Sequence, residues 1–347
     1  MKGLLSYSGV TTKIRAMEGR FFTDKEFEEI VQLPDVPAVA EYLKKNPGYA
    51  NALSEIPDNM LHRGMIERYM ENSLFRDYEK IYRFAKEDQQ IFLRRYARRY
   101  EVRLLKQILS AIMQGEHVSE DVLIFRNFFD NYTDLSMQPL YEARTVEDFI
   151  KALAKTPYYD TVKGVYNRPE PTLFKYETAL DLYHFSTIWH DKDEIGGDKG
   201  SAAILTKFYG TKFDMLNLWY IHRAKAYFHM SGVDVYALTI PALYKLKKSD
   251  IRALVEAENR ETYAKALRAT WYGKVYPDLN LDNLQYMYTK ICKHVIAREA
   301  EKQPYSIATL YYYLYWKEHE LYRLTTALEC VRYGLKPEES LRYVTRR

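Results

Sequence analysis

The sequence YEVRLLKQIL, which begins at Tyr100, returns in altered form as FDMLNLWYIH from Phe213 and as HELYRLTTAL from His319. In each phrase an aromatic ring is followed by an acid, then an apolar residue and, four places after the acid, a leucine. The copies lie a little over a hundred residues apart. A unit repeated in tandem is evidence about the architecture of a protein rather than about any reaction that it catalyses. We therefore expect three similar units whose function depends on surfaces or sockets.

A second phrase, rich in leucine and tyrosine, accompanies the first. LKKNPGYANAL begins at Leu43, LAKTPYYDTVK begins at Leu153, and YAKAL begins at Tyr263. Aligning the first two copies by their prolines matches Tyr49 with Tyr159, and the likeness of YANAL, from Tyr49, to YAKAL matches Tyr49 with Tyr263. Tyrosine gives a rigid apolar body with one polar tip. We interpret the three tyrosines as core or rim residues of the helical units.

The composition is that of a soluble globular protein, with 47% hydrophobic and 28% charged residues among 347. A net charge of +4 is too small to indicate a nucleic-acid binder. Cys292 and Cys330 are the two cysteines, which favours a reducing compartment over a disulfide framework. No window approaches eighteen apolar residues, and the first twenty residues lack the apolar core of a secretory signal. We expect neither a membrane span nor a signal peptide.

The pattern along the chain predicts an all-α protein. Apolar residues recur at spacings of three and four, glycine is scarce, and strand-like alternation is rare. Helix starts are marked at Thr23, with Glu26 three places on, and at Thr145. We predict three helical units at 1–122, 123–240 and 241–347, with boundaries uncertain by about ten residues. Each unit is expected to hold a pair of short helices and then two long helices, the second of which carries the acid.

Catalytic and metal-binding motifs are not recognisable in the sequence. The glycine-rich stretch from Gly196 to Ser201 lacks the order of glycine and lysine that a phosphate loop requires, so we expect a helix–helix loop. His184, His190 and Asp191 are the nearest approach to a metal cluster, but their spacing places the histidines on different helix faces. We predict no catalytic residue, no metal site and no cofactor.

A basic run stands out on one predicted helix. Arg95, Arg99 and Arg103 are spaced by four, so one helix face carries three guanidinium groups, interleaved with Tyr96 and Tyr100. An acidic partner, such as a carboxylate-bearing helix or a lipid headgroup surface, would suit such a face. A solvated face, neutralised by acids on neighbouring helices, would look the same in the sequence. Both interpretations stay open.

The central copy resembles a known family. DMLNLWYIHRAK, from Asp214 to Lys225, is similar to the D-x-x-N-L…R-A-K pattern of the C-type subunits of prokaryotic V/A-type rotary ATPases, which are relatives of the d-type subunit of eukaryotic V-ATPases. KIRAME, from Lys13, looks like the first helix of that family, and the likeness covers nearly the whole chain. Only the central copy keeps both Asn217 and Arg223, so the three units are not expected to bind partners equivalently.

The resemblance implies a funnel-like body of three helical units in a pseudo-threefold arrangement. It further implies a non-catalytic central-stalk protein, a socket that couples the shaft, made of D- and F-type subunits, to the membrane proteolipid ring. Ion transport would then be linked to ATP hydrolysis or synthesis in the complex. The resemblance places the protein peripherally at the cytoplasmic face of the cell membrane, with no nucleic-acid partner.

Individual residues are candidates for structural or partner contacts. Asp214, Asn217 and Arg223 lie on one predicted helix, and Glu101 and Glu320 are the acids of the flanking copies. The first two could tie their helix to its neighbours by hydrogen bonds, or could face a cavity. An alternative function is a helical-repeat scaffold for RNA or peptide, in which bases stack on the tyrosines of the basic run and arginines bind phosphates.

Overall fold

A computed structural model describes residues 2–57 and 62–345, with side chains from residue 5 onward. Within those ranges every regular element is a helix, and no strand occurs. The predicted all-α fold class is therefore confirmed. Among the helices described, none combines the length and the apolar character that crossing a bilayer demands.

The helices follow one another in a repeating order of short and long elements. The first group comprises α1 (Lys2–Glu18), α2 (Asp24–Ile30), α3 (Val36–Lys44), α4 (Ala50–Leu53), α5 (Arg63–Phe84) and α6 (Glu87–Met113). After a 3-10 helix at Glu120–Phe125 come α7 (Arg126–Tyr132), α8 (Met137–Glu142), α9 (Val146–Ala152), α10 (Tyr159–Tyr166), α11 (Leu173–Gly196), α12 (Lys199–Ala226) and α13 (Gly232–Leu238). The last group comprises α14 (Lys248–Glu256), α15 (Arg260–Ala269), α16 (Trp271–Val275), α17 (Leu284–Lys302), α18 (Ile307–Arg332) and α19 (Pro337–Thr345).

Two long helices occur together three times, and each time at least three short helices come directly before them. The long pairs are α5 and α6, α11 and α12, and α17 and α18. The acid of the repeated phrase lies on the second long helix each time, as expected. At least three short helices precede each long pair, where the sequence suggested two, and α7, α13 and α19 are further short helices. Helices α4 and α16, with four and five residues, are too short to show a helical period.

Local signals account for several helix boundaries. The Thr23 hydroxyl accepts the Glu26 N–H, and the Glu26 carboxylate accepts the Thr23 N–H, which is the expected capping box at α2. The glycine-rich connection between α11 and α12 is only two residues long. Gly197 adopts a φ of 69°, which favours glycine, and the Asp198 carboxylate accepts N–H groups of the first turn of α12.

One compact unit is built from the described residues within 1–97, 108–156 and 303–347. One core cluster of this unit joins α2, α3 and α4 to the start of α5, the end of α18 and α19. Phe75 of α5 stacks on Phe128 of α7, with ring centres 4.2 Å apart, in a second aromatic group. Burial of these apolar rings and branched side chains supplies the main stabilisation of this unit.

The other compact unit comprises residues 98–107 and 157–302. Its core lies between α12 and the series α13 to α17, with fully buried residues such as Met215, Leu218 and Tyr272. The two compact units are groups of residues that contact one another, whereas the three predicted units are defined by the repeated phrases of the sequence. The predicted boundaries near residues 122 and 240 therefore stay a prediction.

Candidate functional site

Asp214 of α12 is fully buried and fully used as a hydrogen-bond acceptor. Its Oδ1 accepts the N–H of Tyr244 at 3.0 Å, and its Oδ2 accepts the N–H groups of Lys245 and Leu246 at 2.6 and 3.0 Å. The hydroxyl of Tyr272 also donates to Oδ2, at 3.1 Å. Four donors therefore hold one carboxylate, which fixes the segment before α14 onto α12.

Asn217, one helical turn later, fastens the same segment. Its Nδ2 donates to the carbonyl of Ile240 at 3.1 Å, and its Oδ1 accepts the N–H of Ile240 at 2.7 Å. Both main-chain groups of one buried residue are thus paired with one side chain. Asp214 and Asn217 together bind residues 240–246, inside their own unit.

The close approach of this segment depends on Gly210 of α12. A Cβ at that position would lie 2.6 Å from the Cβ of Tyr244, inside contact distance.

Burial raises the pKa of Asp214 above its ordinary value, while the three N–H donors and Tyr272 act in the opposite direction. The carboxylate in turn raises the pKa of Tyr272, after the larger effect of burial.

Glu101 of α6 is the equivalent acid of the first copy. It is buried, and it accepts a hydrogen bond from the hydroxyl of Tyr158, which is also buried. Burial, followed by the negative charge of Glu101, raises the pKa of the Tyr158 hydroxyl well above its usual range. The tyrosine therefore remains a donor at any physiological pH.

Glu320 of α18 is the equivalent acid of the third copy, and it joins chain segments far apart in sequence. Its Oε1 accepts the N–H of Phe22 at 2.6 Å, and its Oε2 accepts the hydroxyl of Tyr49. Lys317 donates to the same Oε2 at 3.3 Å. The ammonium of Lys317 also lies 3.7 Å from the centre of the Tyr49 ring.

A second buried carboxylate completes this charged cluster. Lys317 is only 2% exposed, and its Nζ lies 3.8 Å from Oδ2 of Asp77 on α5. The hydroxyl of Tyr313 donates to the same oxygen at 2.8 Å, and Lys80 donates to Oδ1 at 3.0 Å. Two buried acids are therefore balanced in charge by the buried Lys317 and by Lys80, which is 40% exposed.

The three acid–tyrosine bonds share one order along the chain. Each acid accepts from a tyrosine at the start of the short helix that directly precedes the long pair of the next predicted copy, and the acid of the last copy accepts from the first. The pairs are Glu101 with Tyr158, Asp214 with Tyr272, and Glu320 with Tyr49. The repeated phrase therefore marks a repeated contact that runs from each copy to the next and back to the first.

The tyrosine alignment made from the sequence was wrong at two of its three positions. Tyr49 and Tyr158 immediately precede α4 and α10, so Tyr158 rather than Tyr159 matches Tyr49. Tyr263 is buried in α15, and its hydroxyl donates to the carbonyl of Leu218, not to an acid. The error has two causes. Tyr158 and Tyr159 are adjacent, so the alignment could be shifted by one residue, and YAKAL resembles YANAL although it lies in α15.

The basic run on α6 is partly covered. Arg103 is exposed, whereas Arg95 and Arg99 are half-buried. The guanidinium groups of Arg99 and Arg103 lie 6.0 and 5.6 Å from the ring centre of Tyr100. Tyr96 and Tyr100 are themselves buried, at 1% and 2% exposure. Neither ring can accept a stacked base in this conformation, contrary to the scaffold alternative.

Arg223, the last candidate, is exposed near the end of α12. Its guanidinium lies 5.2 Å from the ring centre of Trp219 and 5.9 Å from that of Phe228. Arg323 is the residue of the third copy that aligns with Asn217, and it also fastens a short helix. Its Nε donates to the carbonyl of Val344 in α19, at 3.2 Å.

Metal-ligand geometry is not found among residues 2–57 and 62–345, where no three His, Cys, Asp or Glu side chains converge. His184 is buried, and burial together with the charges of Lys212 and nearby arginines lowers its pKa well below the usual range. His190 is exposed on the same helix. The arrangement as described holds buried charges in place through hydrogen bonds and ion pairs.

The buried Lys317–Asp77 pair was missed in the sequence, although a signal was present. Lys317 follows Leu310 and Leu314 at spacings of four and three, and Leu324 comes seven places later, so a lysine occupies the apolar stripe of α18. A charged residue at such a position predicts a buried partner. The identity of that partner, Asp77, has no sequence signal because it is 240 residues away.

Comparison with known proteins identifies relatives along most of the chain. A family model described as ATP synthase (C/AC39) subunit matches residues 10–343. The C subunit of the A-type ATP synthase of Methanobrevibacter smithii is 26% identical over 330 residues, which cover 92% of this chain and 82% of the relative. The proteins of the same name from Thermococcus kodakarensis and Methanocaldococcus jannaschii are 24% and 21% identical. Their alignments cover 96% and 97% of this chain, and 88% and 85% of the relatives.

Proposed function

This chain belongs to the ATP synthase (C/AC39) subunit family, and we propose that it is the socket of a V/A-type rotary ATPase. In this role it is a non-catalytic member of the central stalk that holds the foot of the shaft, made of D- and F-type subunits. It caps the membrane proteolipid ring from the cytoplasmic side. Its rotation with the ring links ion transport to ATP hydrolysis or synthesis elsewhere in the complex.

The observation that carries the socket role is the order of the three acid–tyrosine bonds. In an open row of three helical units, the last unit does not contact the first. The bond from Glu320 to Tyr49 is such a contact, and it is buried. It supports a closed, pseudo-threefold arrangement of the copies, of the kind that can surround a shaft.

The three copies differ chemically, which suits a socket that must not slip. Asn217 of the second copy is replaced by leucine in the first and by Arg323 in the third. A shaft seated among unequal units has one preferred orientation, because each unit offers a different surface. Torque then passes through many side-chain contacts without any reaction at the socket itself.

Purification from the native host tests the proposal. The protein is tagged, membranes are solubilised in mild detergent, and the proteins that co-purify are identified by mass spectrometry. We expect a small proteolipid, the coiled-coil shaft protein and the nucleotide-binding subunits. A monomer that carries nucleic acid, or nothing, would refute the socket role.

Loss of the protein gives a second test. Membranes from a deletion strain should retain nucleotide-binding subunits whose ATP hydrolysis no longer drives ion transport, and the wild-type gene should restore transport. Ion transport that persists at the wild-type rate in the deletion strain would contradict the proposal. No observation on this chain favours the RNA scaffold, since the tyrosines of the basic run are buried.

A further inference from the structure

An apolar groove of about 610 Å³ lies between α11 and the segment from the end of α12 to α13. Its apolar lining includes Phe174, Leu182, Tyr220, Phe228, Met230 and Leu238. Phe174 and Phe228 are 54% and 62% exposed, which is unusual for two phenylalanines that line one groove. An exposed apolar groove of this size indicates a binding surface.

Exposed apolar residues continue beyond the groove along the same segment. Tyr227, Val233 and Tyr236 are 70%, 80% and 43% exposed. The segment therefore offers more exposed apolar surface than the groove alone, and more than a small molecule needs. It fits a polypeptide better than a metabolite.

Two charged groups of the groove are left without charged partners. Within the part of the chain that the structure describes, the carboxylate of Glu177 and the guanidinium of Arg223 form no hydrogen bond and no ion pair. Asp181, by contrast, already binds Lys106 at 2.9 Å. Covering Glu177 and Arg223 with an apolar ligand would desolvate both charges at a cost. The ligand must therefore bring a cation for the first and an acid for the second.

The walls of the groove decide the form of the ligand. They are α11, α12, α13 and the short turn between the last two helices. In that turn the N–H groups of Phe228 and Met230 donate to carbonyls of α12, so no extended edge is offered to an added strand. A lipid surface would bury the unpaired Glu177 against acyl chains and would need a cluster of lysines or arginines, which the lining lacks. A helix with one apolar face fulfils the remaining requirements.

We propose that this groove binds one amphipathic helix of another protein of the rotary complex. The helix carries apolar residues at i, i+3, i+4 and i+7, a lysine or arginine opposite Glu177, and an acid opposite Arg223. This assignment of the partner rests on the proposed function, whereas the form and charge of the ligand rest on the groove alone.

Site-specific cross-linking in living cells tests the proposal. The photoreactive residue p-benzoyl-phenylalanine replaces Phe228 or Phe174, and cross-linked peptides are identified after solubilisation. We expect both positions to reach one helix of the same partner protein, at contact residues three, four or seven apart. A cross-link to lipid, to a second copy of this chain or to nothing would overturn the proposal.

The outcome separates this proposal from the socket role. If the complex co-purifies but neither position cross-links to it, the groove proposal fails and the socket role stands. If both positions reach a helix of a protein outside the complex, the partner assignment is wrong, and the purification decides the socket role independently.

A peptide with the sequence of the cross-linked helix then measures affinity for the purified protein. Phe228→Ser and Glu177→Lys should each weaken binding about tenfold or more. Charge reversal of the facing basic residue in the peptide should restore binding to Glu177→Lys. Tyr333→Ser, at another exposed aromatic outside the groove, is the control and should leave the affinity unchanged. Equal affinities for all four proteins would refute the charge assignment.

Discussion

At the scale of single residues, Asp214 is the clearest example of a buried charge that orders the chain around it. Asp214→Ala leaves three N–H groups and the Tyr272 hydroxyl without their acceptor in the core. We expect a loss of about 3–5 kcal/mol in the free energy of unfolding, because unpaired buried donors keep their desolvation cost. Urea unfolding followed by circular dichroism measures this loss.

The control is Asp278→Ala, which removes an exposed carboxylate from the same unit and should change stability by less than about 0.5 kcal/mol. A small loss for Asp214→Ala, similar to that of the control, would mean that water replaces the carboxylate. Asp214 would then not be needed to hold residues 240–246.

The pKa of Asp214 gives a second prediction at this scale. Since its folded-state pKa is raised above 3.8, the folded protein binds the proton more tightly than the unfolded chain. The resulting stabilisation is present below pH 3.8 and is lost as the pH rises through the folded-state pKa. Tyr272→Phe removes a donor to the charged form, so it should raise the Asp214 pKa further and move this loss to higher pH.

Carboxyl ¹³C NMR titration of the wild type and of Tyr272→Phe measures both pKa values. Tyr263→Phe is the matched control, because its hydroxyl donates to the Leu218 carbonyl rather than to Asp214. An Asp214 pKa that falls in Tyr272→Phe, or that lies below 3.8 in the wild type, would contradict the assigned balance between burial and hydrogen bonding.

At the scale of helices, the sequence was a good guide where the signal is local. The all-α class, the start of α2 at Thr23 and the acid on the second long helix of each copy follow from spacing and capping. The partners of those acids do not, because they lie 57 to 271 residues away. Which of two adjacent tyrosines turns inward at α10 depends on tertiary contacts that no local pattern encodes.

The fit between α12 and the segment before α14 can be tested at Gly210. Gly210→Ala places a methyl group 2.6 Å from Tyr244 Cβ, so the segment must shift away from Asp214. We expect a loss of about 1–3 kcal/mol in stability and faster hydrogen exchange at residues 244–246. Gly164→Ala is the control, since nothing lies within 4 Å of its added Cβ and alanine favours the helix. Unchanged exchange at residues 244–246 in Gly210→Ala would show that the close approach is dispensable.

The charged cluster on α18 offers a test of how distant elements are joined. Lys317→Met leaves Asp77 and Glu320 as two buried acids with one cation fewer, and should cost about 3–5 kcal/mol. The triple variant Lys317→Met, Asp77→Asn, Glu320→Gln removes the charges together and should recover much of that loss. Lys336→Met, an exposed change, is the control. Equal losses in the single and triple variants would show that charge balance is not the cause.

At the scale of the whole molecule, the order in which the acid–tyrosine hydrogen bonds join the predicted copies is more informative than any single one of these bonds. A chain whose copies contact only their neighbours would extend like other helical repeats. Here the third copy bonds the first through Glu320 and Tyr49, with the Phe22 N–H on the same carboxylate. The proposed closed set of three units would use the repeated acid and tyrosine at every junction.

Distances between equivalent points of the three copies test this closure. Glu55, Arg168 and Asp278 are exposed and follow the short helix that directly precedes each long pair by two or three residues. Spin labels on cysteines introduced at these positions, two at a time, give three distances by double electron–electron resonance. Cys292 and Cys330 are buried and should not react. A pseudo-threefold body predicts three similar distances, because each pair of labels then spans one junction. An open row predicts instead that the distance from Glu55 to Asp278 is close to the sum of the other two, and that result would refute both the closed arrangement and the socket that depends on it.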